Sequence, residues 1–337
     1  MTIYNNFSLK KFNTFGIEAK AKEFVAAHTV EELSTILIEN KIKTKFILGG
    51  GSNMLLTKDI DALVIHIDLK GKKIAQEDSD FVYVESSAGE NWHEFVLWTI
   101  NQNFGGLENM SLIPGNVGTT PVQNIGAYGT EIKDTFVSCD ALNIETQEMK
   151  TFTKEDCHFG YRESVFKHDV KDQFIITSVV FKLTKRNHKI NTSYGDILKE
   201  LEKKHISTPT LKDVSNAVIA IRQSKLPNPK ELGNSGSFFK NPIISKSDYD
   251  TIHELHPEMP HYVISETQVK VPAGWLIEKA GFKGKRFGDA GIHKNQALVL
   301  VNYGNATGQE ILNVSKDIQA TVFKEFGIAI EAEVNVI

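Results

Sequence analysis

The stretch from Ile113 to Gly129 constrains this chain more than any other, because Gly115, Gly118, Gly126 and Gly129 alternate there with Pro114, Pro121, hydroxyls and amides and leave neither a helical nor a strand period. A loop this long with no apolar pattern of its own has to be held by regular elements on either side, and such loops in compact domains generally bind something. Gly115, Gly118 and Gly126 permit close approach of the main chain. Thr119, Gln123 and Asn124 add neutral donors suited to phosphate and to the edge of a planar ring.

The flanking sequence supplies the elements. Thr29 and Glu32 stand at capping-box spacing ahead of Leu33, Ile36 and Leu37, which predicts a helix over 29–41. A strand at 46–48 feeds Gly49-Gly50-Gly51-Ser52-Asn53, a second run of bare backbone amides. Strands follow at 62–67 and 81–85, a helix over 91–103 that stops at Gly105-Gly106, and strands at 135–144 and 174–183. Past Lys185 the pattern turns helical, over 196–203, 211–223 and 309–325. In the tail, Ile328, Ile330, Ala332, Val334 and Val336 share one face of a strand and leave Glu331, Glu333 and Asn335 on the other. The fold class is α+β, with boundaries expected at 1–185 (two subdomains split near 60–70), 186–327, and a C-terminal strand over 328–337. There is no internal repeat and no low-complexity segment.

With 337 residues the chain exceeds one ordinary core, so a cleft between domains is affordable. A net charge of -4 provides no field to hold a nucleic-acid backbone. Cys139 and Cys157 are too few for a disulfide framework, no apolar run approaches a membrane span, and no signal peptide is evident, so a cytoplasmic protein is expected. Such a surface makes a monomer the expectation. His253 and His256 are spaced unlike the zinc-protease His-Glu-x-x-His pair and lack a third ligand, so no metal is expected.

The Gly49–Asn53 run is not a dinucleotide fingerprint, since Met54 occupies the place of a third glycine and no helix opens behind it. Its glycines still allow main-chain amides to cradle a pyrophosphate. Taken with the Ile113–Gly129 stretch, Asn13-Thr14-Phe15-Gly16, Phe159-Gly160-Tyr161-Arg162-Glu163-Ser164 and Gly236-Ser237-Phe238-Phe239-Lys240-Asn241-Pro242, it resembles the UDP-N-acetylenolpyruvoylglucosamine reductase family. The motifs run in order to Glu333, over nearly the whole chain.

That resemblance implies an FAD-binding domain of the vanillyl-alcohol-oxidase type, made of two α+β subdomains, and a C-terminal α+β domain that covers substrate. It implies non-covalent FAD held by Gly49, Gly50, Gly51, Ser52, Asn53, Gly115, Gly118, Thr119, Gln123, Asn124, Gly126 and Tyr128. NADPH is the implied hydride donor and UDP-N-acetylenolpyruvoylglucosamine the implied substrate, reduced to UDP-N-acetylmuramate for peptidoglycan precursor synthesis. Arg162, Ser237 and Glu333 correspond to its catalytic trio. The chemistry suits them: a permanent cation to grip the carboxylate, a hydroxyl to deliver a proton, and an acid to help stabilise the intermediate. Tyr161, Tyr194, Lys225 and Asn241 correspond to substrate contacts, with Tyr194 closing over the diphosphate in one branch of the family. Asn335 departs from the pattern, since an arginine is expected two residues after the catalytic acid. Two rival readings are a flavin-dependent alcohol or sugar oxidase, which leaves Ser237 and Arg162 without a task, and a nucleotide-sugar-binding protein without catalysis.

Overall fold

The structure, a computed structural model, describes residues 2–337 and divides into two compact units. The first holds the residues up to Phe7, Ala21–Gly50 and Ile60–Ser224; the second holds Ser8–Lys20, Gly51–Asp59 and Lys225–Ile337.

The first unit opens with a four-stranded sheet in the order Tyr4–Ser8, Lys20–Ala27, Ile60–Ile67, Lys45–Leu48. Lys20–Ala27 and Lys45–Leu48 both run parallel to Ile60–Ile67. Parallel strands need a crossover, and helix α1 (Val30–Glu39) supplies the one from Lys20–Ala27 to Lys45–Leu48. Thr29 caps it by accepting from the Glu32 amide, while the Glu32 carboxylate reaches one residue beyond the expected capping box to accept from the His28 amide. Leu33, Ile36 and Leu37 bury against Val25, Leu63 and Ile65 as their spacing requires.

The second sheet of this unit is antiparallel, in the order Met149–Thr153, Phe136–Asn143, Phe174–Thr184, Phe81–Ser87, Lys72–Glu77. Helix α2 (Trp92–Asn101), capped by Asn91, covers it through Trp92, Phe95, Val96 and Ile100. The residue that turns the chain out of α2 is Asn103, at φ 59°, ahead of the glycine pair the sequence suggests.

Helices α3 (Gly195–Lys203) and α4 (Leu211–Lys225) follow, and their apolar faces, Ile197, Leu201, Val214, Val218 and Ile221, close on Tyr128 and Ile190. The boundary expected at residue 185 therefore differs from the structure, in which the first unit continues to Ser224. The reason is physical: periodicity shows that a helix is amphipathic, and says nothing about which core its face covers.

The second unit carries two small antiparallel sheets, Ile243–Ser245/Gln268–Lys270/Tyr262–Val263 with helix α5 (Lys246–Leu255), and Arg286–Phe287/Ala290–Ile292/Leu300–Asn302 with helices α6 (Ala273–Lys279) and α7 (Gly308–Phe326). Two early segments thread into it. Asn13 spans Leu9 and Ile17 with three side-chain hydrogen bonds, the Thr14 amide donates to the Gly51 carbonyl, and Met54–Leu55 pairs in parallel with Asn335–Val336. The tail keeps its expected alternation as far as Val334, with Ile328, Ile330 and Val334 buried, but Val336 is 42% exposed, and the tail is not the continuous strand expected over 328–337. It pairs first with the 238–240 segment, through the Phe239–Ala332 bridge, and only then with Met54–Leu55. His253 and His256 take separate neighbours. His253 meets the Tyr249 hydroxyl at 3.0 Å, while the His256 ring lies against Trp275 and Phe326. Among the described residues no helix is long and apolar enough to cross a membrane.

Candidate active site

In the first unit the two glycine-rich segments meet. A Cβ on Gly49 would stand 2.5 Å from the Thr119 methyl, and one on Gly50 would stand 2.8 Å from the Gly115 Cα. Gly118 is closed in the same way by Ala88. These glycines thus serve chain-to-chain approach, and they set the two runs of amides side by side. Neither 49–57 nor 113–130 contains an Asp or Glu. Within the first unit, the Gly49-Gly50 backbone beside the uncharged, amide-rich 113–130 loop suits a pyrophosphate dianion, so the residues present fit FAD. Thr119 spends its hydroxyl on the Asn116 carbonyl, which closes a local turn.

Residues Gly126–Ala127 and Thr130–Glu131 form a two-residue hairpin whose tip is Tyr128-Gly129, both at positive φ (50° and 79°). This is the type I′ geometry that matches strand twist, and it presents the Tyr128 ring at the tip. The Tyr194 ring meets it edge-on at 5.3 Å between centroids. The sequence offered no sign that Arg222, in the last turns of α4, is half-buried and hydrogen-bonds to the Tyr128 side chain while its Nε donates to the Leu112 carbonyl at 3.2 Å. Burial pushes its guanidinium down from its ordinary value, and the Tyr128 hydroxyl opposes that.

Arg162 sits on a second tight turn. Gly160 and Glu163 exchange both backbone hydrogen bonds, which leaves Tyr161 and Arg162 as the central residues, with Arg162 at φ 58°. The second central position of such a turn usually takes Gly or Asn, and a left-handed residue with a long side chain is held only by its surroundings. The surroundings are visible: Arg162 donates to the Gly126 carbonyl at 2.7 Å and to the Asn124 carbonyl at 3.4 Å, and its guanidinium lies over the Tyr161 ring.

Asn124, expected among the cofactor contacts, is fully buried and its side-chain amide is engaged inside the protein. Its Nδ2 donates to the Gly160 carbonyl and the Glu131 carboxylate, and its Oδ1 accepts from the Lys133 amide. With those bonds made, the side chain acts as a strut between the Gly126 hairpin and the Arg162 turn. Gln123 lies half-buried one residue before it.

In the second unit, Glu333 donates its amide to the Phe238 carbonyl at 2.8 Å, so Ser237 and the acid ride on adjacent hydrogen-bonded segments. Gly236, at φ 70° with open space beside it, turns the chain so that Ser237 is exposed. Glu331 is 79% exposed and paired with Lys240 at 3.9 Å, whereas Glu333 is half-buried. The Asn53 side chain donates to the Glu333 carbonyl, and the Asn335 amide and Nδ2 both donate to the Asn53 carbonyl, at 3.2 and 2.9 Å. Gly51 is left-handed and abuts the Phe12 carbonyl, and Ser52 is half-buried beside it. Asn241 accepts from the Ala273 amide at the start of α6, which fixes its orientation. Lys225 ends α4 and is exposed.

Comparison with known proteins gives consistent results. Residues 228–337 match the model described as UDP-N-acetylenolpyruvoylglucosamine reductase, C-terminal domain, and residues 21–151 match the FAD binding domain model. The chain is 81% identical to the UDP-N-acetylenolpyruvoylglucosamine reductase of Flavobacterium johnsoniae over 100% of both chains. It is 47% identical to the protein of that name from Pseudomonas savastanoi pv. phaseolicola over 99% of both. Among solved structures, the enzyme of that name from Thermus caldophilus superposes with a TM-score of 0.67 at 23% identity, covering 99% of this chain and 98% of the other, a likeness of fold.

Proposed function

The chain belongs to the UDP-N-acetylenolpyruvoylglucosamine reductase family, and from that premise we propose that it reduces UDP-N-acetylenolpyruvoylglucosamine to UDP-N-acetylmuramate, with NADPH as reductant and FAD as carrier. The chemistry that bound FAD supplies is hydride transfer to the enolpyruvyl methylene. The observation that carries the reading is the pairing of an exposed Ser237 with a half-buried Glu333 on neighbouring segments. An enol ether that has accepted hydride holds negative charge on the adjacent carbon and its carboxylate, and the protein has to stabilise that charge and then protonate it.

Arg162 has the stabilising role, because a guanidinium is always charged and grips a carboxylate with two parallel donors. Holding it on a strained turn before substrate arrives avoids reorganisation during the reaction. Ser237 delivers the proton: its hydroxyl is a weak acid in water, but transfer to a carbanion-like carbon is downhill. Glu333, protonated, adds a second donor to the developing charge. Tyr194, Tyr161, Lys225 and Asn241 bind the nucleotide sugar, with Lys225 as a point charge for phosphate. Gly49–Asn53 and Gly115–Tyr128 hold the cofactor, apart from the Asn124 side chain. The reading also has a cytosolic monomer.

The test follows visible absorbance of the purified protein anaerobically, as NADPH and then the enolpyruvyl sugar are added. Flavin bands should bleach and then return. Bleached flavin that returns only with oxygen would replace this reading with the oxidase, and a colourless protein that FAD cannot reconstitute would remove the flavoenzyme altogether.

A further inference from the structure

Asn109 is 2% exposed, on a single 3-10 turn (Glu108–Met110), and the binding roles above do not include it. Its one amino group donates to two main-chain carbonyls far apart in sequence, Tyr128 at 3.1 Å and Asn191 at 3.0 Å. The first acceptor is the tip of the type I′ hairpin. The second is the root of the segment that carries Tyr194.

The Asn191 side chain continues the link. Its Oδ1 accepts from the Ser193 amide and hydroxyl, at 3.1 and 2.7 Å, and its Nδ2 reaches the Gly129 carbonyl at 3.4 Å. That turn delivers Tyr194 to the N-terminus of α3, with its ring against Tyr128. Tyr128 is thus held at its carbonyl by Asn109, at its side chain by Arg222 and at its ring by Tyr194. A buried amide with two satisfied donors is costly to disturb and admits one arrangement of its acceptors. Tyr194 itself is 44% exposed.

We propose that Asn109 is a positioning residue for substrate binding: its amino group fixes the Tyr194 segment to the Tyr128 hairpin, and so sets where Tyr194 meets the diphosphate of a nucleotide sugar. The proposal rests on the function given above, in which Tyr194 binds that diphosphate. It makes no claim on hydride transfer or proton delivery.

The experiment replaces Asn109 by Leu, close to it in size but without donors, in the FAD-loaded protein. KM for the enolpyruvyl sugar should rise on the order of tenfold to a hundredfold, the size of effect that a misplaced binding group produces. Flavin reduction by NADPH alone should stay within about twofold of native, because the Tyr128 side chain keeps its hydrogen bond to Arg222 when Asn109 is replaced. Ser111→Ala removes a neighbouring buried hydroxyl pair with Ser215, and it should lower the thermal midpoint without moving KM. If N109L does not fold, Asn191→Ala loosens the same segment from its outer side and should raise KM in the same direction. A KM that stays native in the folded variants while only the midpoint drops would overturn the proposal. A native protein that fails to turn over the enolpyruvyl sugar would instead sink the function on which it rests.

Discussion

Substitution of Gly50 by Ala tests whether the two glycine-rich loops are as tightly apposed as the structure has them. The added Cβ would lie 2.8 Å from the Gly115 Cα and 2.9 Å from the Asn116 Oδ1. Carbon atoms rest about 3.5–4.0 Å apart, so the loops must separate by roughly 1 Å at their closest point. Both obstacles are backbone or a short side chain, and neither can swing away. Overpacking of this kind costs about 1–3 kcal/mol. At about 2–4 °C per kcal/mol for a cooperative unit of this size, the thermal midpoint should fall by roughly 2–12 °C. Flavin content should fall with it, because the same amides would carry the pyrophosphate. Gly195→Ala is the matched control: its Cβ meets open space and its φ is not left-handed. There, reduced freedom of the unfolded chain should leave stability unchanged or raise it by about 0.4–1 kcal/mol. Scanning fluorimetry gives the midpoints, and the ratio of flavin to protein absorbance gives the occupancy. Equal midpoints and equal flavin in the two variants would refute the loop contact.

Ser237→Ala should lower turnover of the enolpyruvyl sugar by about 10²–10⁴-fold while NADPH still reduces the flavin at its native rate; an equal loss in both half-reactions would take the proton-donor role from Ser237. Arg162→Gly and Arg162→Ala should be equally inactive, but the glycine variant should be more stable by about 1 kcal/mol, since only Ala keeps the left-handed penalty at φ 58°. Equal midpoints in urea or heat would mean that the turn relaxes. His93 accepts the Leu112 amide on Nδ1 at 2.9 Å, and burial lowers its pKa from the ordinary 6.5. Its contribution to stability is therefore complete above about pH 6.5 and is lost as pH falls below that value, where the unfolded chain takes up a proton first. His93→Gln should flatten the decline of the thermal midpoint between pH 7 and pH 5; an unchanged slope would assign acid sensitivity to other groups.

The local elements were legible because each is dictated within a few residues. Thr29 with its apolar spacing marks α1, and Asn91 marks α2. Alternation gave the buried face from Ile328 to Val334 but not at the exposed Val336, and it could not tell that two different partners take up the segment in turn. The same limit explains the displaced boundary: α3 and α4 look like the start of something new until their faces are seen against Tyr128.

At the candidate site, residue types were readable and their employment was not. Glycines in 49–51 and 115–126 look like openings for a ligand, yet Gly50, Gly118 and Gly126 are each closed by protein atoms. An amide such as Asn124 looks like a ring donor until its bonds to Gly160, Glu131 and Lys133 are counted. Asn109 and Arg222 left no sequence signal, since one lies in a turn and the other in a helix where cations are usually solvated. What distinguishes them is long-range: both act on Tyr128, one through its carbonyl and one through its side chain. A hairpin tip with a strained backbone and an exposed neighbour such as Tyr194 needs supports of this kind to hold one geometry. The same logic accounts for Asn335, where the family pattern leads one to expect arginine. Its amide and side chain both close on Asn53, which in turn reaches the carbonyl of Glu333, so this chain uses the position to tie the acid's segment to the Gly51–Asn53 loop.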